Sequence, residues 1–152
     1  MKIVEGDSIL QLTATEDGSG DFLVSVEAQS QGFSGHADGH VVGAAGHVFV
    51  RQLTVLEAQR KGAASLTSAM PGEFELEVKA VDSRGHMGVS GVLSYRTVGL
   101  EDRSLQQLRF AFEFDPSKLA AFVNAAAQAE REPAGVSHDD RISHHALGRR
   151  VV

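Results

Sequence analysis

Apolar and polar positions alternate along most of the chain. In residues 21–29 ("DFLVSVEAQ"), Phe22, Val24, Val26 and Ala28 share one face, and Leu23, Ser25, Glu27 and Gln29 share the other. In residues 73–81 ("EFELEVKAV"), Phe74, Leu76, Val78 and Ala80 alternate with Glu73, Glu75, Glu77 and Lys79. Residues 86–98 carry the period through Met87, Val89, Gly91, Leu93 and Tyr95, and residues 107–115 carry it through Leu108, Phe110, Phe112 and Phe114. Period two predicts strands with one dry face. A less regular strand is expected at residues 8–15 and a weak one at residues 64–69. Half-wet strands belong to antiparallel sheets, since parallel sheets are usually covered on both faces. The intervening segments are turn-like: "TEDGSGD" (15–21), "MPGE" (70–73), "DSRG" (82–85) and "GLEDRS" (99–104).

Two stretches change to helical spacing. After Asp115, a favoured N-cap, and Pro116, a favoured first residue, Leu119, Phe122, Val123, Ala126 and Ala127 form one stripe. This predicts a helix over 116–130. Phe49, Val50, Leu53 and Leu56 predict another over 47–61, ended by Arg60, Lys61 and Gly62 but with no evident cap at its start. The expected fold is α+β: an antiparallel sheet of about six strands in the order ββαββββα, with both helices on one face. No internal repeat is visible. The domain is expected to span 1–130, followed by a polar tail at 131–152. The expected core is Leu10, Leu12, Phe22, Val24, Val26, Phe49, Leu53, Leu56, Phe74, Leu76, Val78, Val89, Leu93, Phe110, Phe112, Phe114, Leu119, Phe122 and Val123.

Composition narrows the function. The 152 residues include no cysteine, which excludes disulfides and thiolate metal sites. No stretch has the length of a signal peptide or a membrane span, so a soluble cytoplasmic protein is expected. The formal charge is −6, and it lies in residues 1–128, which hold ten basic and sixteen acidic residues. Such a domain repels phosphate backbones, so nucleic acid is not an expected partner, whereas a basic protein is.

The segment "GFSGHADGHVVGAAGH" (32–47) concentrates candidate chemistry. His36, Asp38 and His40 fall at alternate positions and, with His47, could ligate zinc or iron. Gly32, Gly35, Gly39, Gly43 and Gly46 surround them, and glycine loosens a chain. The expectation is therefore a soft connection from strand to helix, with no resident metal or other cofactor. Ser34 in "GFSGH" misses the G-x-S-x-G spacing of a nucleophile elbow, and a Ser90–His86 pair has no supporting context. Glu73, Glu75 and Glu77 form an acidic row on a wet strand face, where all three would be ionised and solvated rather than paired for acid–base work.

Three phrases carry a family resemblance: "GFSG" (32–35), "SAMPGEFELEVKAVDSRGHMGVSGVL" (68–93) and "LRFAFEFDPSKLAAFV" (108–123). Over roughly residues 20–125 the chain resembles small bacterial immunity proteins of the WapI type. The glycine- and histidine-rich segment before the first helix and the long tail depart from that pattern. The resemblance implies a scaffold that binds and neutralises a toxin and brings no catalytic residues. The expected function is thus a non-enzymatic protein-interaction module, plausible contacts being Glu73, Glu75, Glu77, Ser34 and His36 against a basic toxin domain. Two other readings stand beside it. One is a metal-binding protein or metal-dependent enzyme using His36, Asp38, His40 and His47. The other is a self-associating module, a homodimer joined through an edge strand or the tail.

Overall fold

The computed structural model describes residues 1–96 and 105–131. Strands β1 (Lys2–Glu5), β2 (Ser8–Glu16), β3 (Phe22–Ser30) and β4 (Phe33–Val41) form one antiparallel meander, followed by helix α1 (Gly43–Gln59). The same order then recurs. Strands β5 (Ala63–Thr67), β6 (Phe74–Ala80), β7 (Met87–Arg96) and β8 (Leu105–Phe114) form a second meander, followed by α2 (Ser117–Ala129). The fold is α+β, as expected, but it has two four-stranded sheets rather than one six-stranded sheet. The order is ββββαββββα rather than ββαββββα. The chain is therefore a structural repeat, although the two halves share no visible sequence period. The expected loop at 99–104 and all of the expected tail beyond Arg131 lie outside the described residues.

Both unexpected strands have a local explanation. β1 is four residues long, too short to display a period. β4 occupies most of the supposed soft connection, reached through a two-residue turn in which Gln31 (φ 52°) and Gly32 (φ 81°) are both left-handed. Two consecutive positive φ values give a tight hairpin whose twist matches its strands. Glutamine is a poor marker for such a turn, so the sequence does not announce it. The glycines of β4 also have a definite task. Gly35, Ala37 and Gly39 face the second sheet while His36, Asp38 and His40 face outward. A Cβ on Gly39 would lie 2.7 Å from Phe74 Cε1, and one on Gly35 would lie 2.8 Å from Leu108 Cδ2. Phe74 and Leu108 are the two ends of one register row, Phe74–Leu93–Leu108. β4 thus lies directly across the second sheet, and β8 lies reciprocally across β1, β3 and β4.

The two inner faces share one core. Every expected core residue is buried except Phe112, which is half-buried. It sits on β8, the outer strand of its sheet, and no other strand pairs with that edge among the described residues. Ile3, Ala64, Leu66 and Met87 complete the interior.

The helices do not pack on the apolar face of a single sheet, as expected, because the two sheets cover each other, although the helices do contact one another. Each helix instead contacts the first strand of the other meander, α1 on β5 and α2 on β1. Gln52 Oε1 accepts the Ser65 N–H (3.1 Å), and Lys118 Nζ donates to the Val4 carbonyl and to Glu5 Oε2. These bonds satisfy edge groups that would otherwise be open to another chain. α1 begins four residues before the expected start because its cap is remote: the Gly43 N–H donates to Asp21 Oδ1 (2.8 Å). At α2 the expected cap forms, with Asp115 Oδ1 accepting the Ser117 N–H (2.8 Å).

Candidate protein-binding face

The outer face of the first sheet is built by register. Lys2, Gln11, Glu27 and His36 form one row; Val4, Ile9, Gln29 and Ser34 flank it on one side, and Thr13, Ser25 and Asp38 on the other. A further row places Leu23, 56% exposed, beside His40. A hollow of about 390 Å³ is lined by Lys2, Ile9, Gln11, Glu27, Gln29, Ser34 and His36. Ser34 and His36, both expected contact residues, therefore stand on an ordered strand face rather than in a soft connection.

Glu73, Glu75 and Glu77 do not join them. Glu75 and Glu77 project from the outer face of the second sheet, on the far side of the sandwich, where they line a separate hollow of about 430 Å³ with Ser65, Thr67, Ser90 and Arg109. Glu77 pairs with Lys79 (2.7 Å). Glu73 corrects the expectation further. It precedes β6 and turns inward, its Oε2 is buried with no hydrogen-bond partner among the described residues, and that oxygen lies 2.7 Å from where a Cβ on Gly39 would stand. A buried oxygen without a partner opposes folding, because desolvation is uncompensated. The acidic row of the sequence is thus one exposed carboxylate, one half-buried and paired with Lys79, and one turned inward.

The candidate metal ligands are also separated. His36, Asp38 and His40 share a face, as their alternation requires. His36 Nε2 lies 3.1 Å from Asp38 Oδ1, but His40 Nε2 turns to Asp17 Oδ2 (2.7 Å). His47 is on α1, where its Nδ1 meets the Glu130 carboxylate at the end of α2 and its ring stands edge-on to Phe22. No group of three or more metal-ligating side chains comes together among the described residues.

Ser25, His36 and Asp38 invite comparison with a catalytic triad, and the geometry argues against it. Ser25 Oγ (2.8 Å) and Asp38 Oδ1 (3.1 Å) both approach the same imidazole nitrogen, Nε2. A relay requires the nucleophile and the orienting carboxylate on opposite ring nitrogens. Sequence reading missed Ser25 and Asp17 as partners of these histidines because both contacts depend on β4 being a strand. The strict alternation of Ser34, His36, Asp38 and His40 with Gly35, Ala37, Gly39 and Val41 was the available signal.

Asp17 gives this region an acid-sensitive element. The Ser19 hydroxyl and N–H, and then His40, hold the Asp17 carboxyl down at about 2. Its folded value lies below its unfolded one, so the stabilisation is present above about pH 4 and is lost as pH falls through 2. Asp17→Asn is expected to remove this part of the acid limb in a pH titration of unfolding. Superimposable acid limbs for the variant and the native chain would refute the assignment.

No known protein-family model matches the chain, and no curated protein matches it. Among the described residues, no helix is long and apolar enough to cross a membrane.

Proposed function

We propose that the chain is a non-enzymatic protein-interaction module of the immunity type, which neutralises a basic toxin domain by binding it on the outer face of the first sheet. One observation carries this reading. The whole formal charge of −6 resides in the first meander and α1: residues 1–59 hold Lys2 and Arg51 against eight acidic residues, while residues 60–152 hold twelve of each sign. The face offers Glu27 at a hollow that Lys2, Ile9 and His36 also line, with Asp38 one row away and Leu23 and Val4 exposed nearby for apolar contact. Complementary charge speeds encounter and rejects acidic partners, and exposed apolar groups add contact area.

The test is retention of a partner from the source cells by the purified chain, comparing two charge reversals. Glu27→Lys with Asp38→Lys is expected to weaken binding at least tenfold and to flatten its salt dependence. Glu75→Lys with Glu77→Lys, on the opposite face, is expected to leave binding unchanged. An acidic partner, or equal loss in both variants, would refute the assignment of this face.

A further inference from the structure

The last strand of the second sheet is chemically palindromic. Centred on Ala111, β8 reads Leu108, Arg109, Phe110, Ala111, Phe112, Glu113, Phe114. Reversal about the centre exchanges Phe110 with Phe112, Leu108 with Phe114, and Arg109 with Glu113. The first two exchanges keep apolar with apolar, and the third replaces a charge with its opposite. A strand with this property is complementary to an antiparallel copy of itself.

The fold leaves this strand in a position to use that complementarity. β8 pairs with β7 on one side and, among the described residues, with no strand on the other. The first strands of both meanders have side chains laid on their edges, Gln52 on β5 and Lys118 on β1. Along Leu105–Phe114, no backbone hydrogen bond outside the β7 ladder is made among the described residues. Arg109 and Glu113 are exposed on the outer face, and neither forms an ion pair among the described residues. Phe112 faces inward yet is only half-buried, and Leu105 is 53% exposed. A long strand edge flanked by apolar side chains, without an inward charge or proline, is a template for another strand.

We propose that two copies of this chain pair through β8, antiparallel about a two-fold axis at Ala111, joining their second sheets into one sheet of eight strands. In that register Arg109 of each copy faces Glu113 of the other on the outer face. Phe110 faces Phe112 on the inner face, and the two Ala111 residues meet on the axis. The contact is isologous, so the two-fold closes it and no fibre follows. It leaves the outer face of the first sheet free and is independent of any toxin binding.

The register is tested by charge exchange in the full chain, followed by analytical ultracentrifugation over a wide concentration range. The native chain is expected to approach twice its 16.2 kDa as concentration rises. Arg109→Glu alone, or Glu113→Arg alone, puts like charges opposite each other twice per dimer and is expected to weaken association about tenfold. Combining both substitutions restores opposite charges and is expected to restore the dimer. Hydrogen exchange on the native chain adds a readout independent of substitution: outward amides of residues 108–114 are expected to slow as concentration rises. A native mass of 16.2 kDa at every concentration, or a dimer indifferent to the single reversals, would overturn the proposal. Failure of the combined variant to reassociate while its circular dichroism is native would overturn it too.

Discussion

Replacing Phe74 with alanine is expected to cost about 3–5 kcal/mol and to lower the thermal midpoint by about 10 °C or more. Phe74 is 1% exposed, and its ring stands where the two sheets meet. On one side it belongs to β6, whose neighbour β7 places Leu93 directly opposite. On the other, β4 passes over it at Gly39, which has no side chain to fill the space the ring would vacate. The site therefore cannot collapse cheaply, which puts the cost toward the upper part of the range for phenylalanine truncation. Denaturant unfolding monitored by far-ultraviolet circular dichroism gives the number. A loss below about 1 kcal/mol would mean that the sheets do not meet at this ring.

The converse substitution, Gly39→Ala, is expected to cost about 1–3 kcal/mol by overpacking. The new methyl would stand 2.7 Å from both Phe74 Cε1 and Glu73 Oε2. The carboxylate is the end of a flexible side chain and can swing aside. The ring is locked by its surroundings and cannot, so β4 must lift away from the second sheet. Combining Gly39→Ala with Phe74→Ala supplies the decisive comparison, because the methyl then enters space the ring has left. The double variant is expected to be less destabilised than the sum of the two single changes by about 1 kcal/mol or more. Strict additivity would show that Gly39 serves the strand's own conformation rather than the close approach of the sheets.

These two residues also show what was legible in the sequence and what was not. β3, β6, β7 and β8 announce themselves because each alternates large apolar side chains with polar ones, and α2 does so through an apolar stripe behind a capping aspartate. β4 alternates just as strictly, but its inward positions are Gly35, Ala37 and Gly39, which register as looseness on a hydropathy pattern. Their smallness answers a neighbouring sheet that is distant in sequence, and no local signal encodes it. Glu73 misleads for a related reason: it continues the parity of Glu75 and Glu77, yet it stands one residue before β6 begins and is not bound to the strand's outer face. The start of α1 was hidden because Asp21, more than twenty residues away, supplies its cap. For the candidate face, the residue types were visible in sequence. Their separation into two opposite surfaces was not, since that depends on how the meanders stack.

The crossed placement of the helices bears on how the chain can be made. The edge of β1, near the N-terminus, is covered by Lys118 of α2, and the edge of β5 by Gln52 of α1. A ribosome that has released only the first meander and α1 has produced a sheet without the segment that shields its first strand, and a helix without its docking strand. Neither half can reach its final state during synthesis until α2 has cleared the exit tunnel. Until Lys118 is in place the edge of β1 stays open to pairing with another chain, the hazard that partly folded intermediates with unpaired strand edges carry.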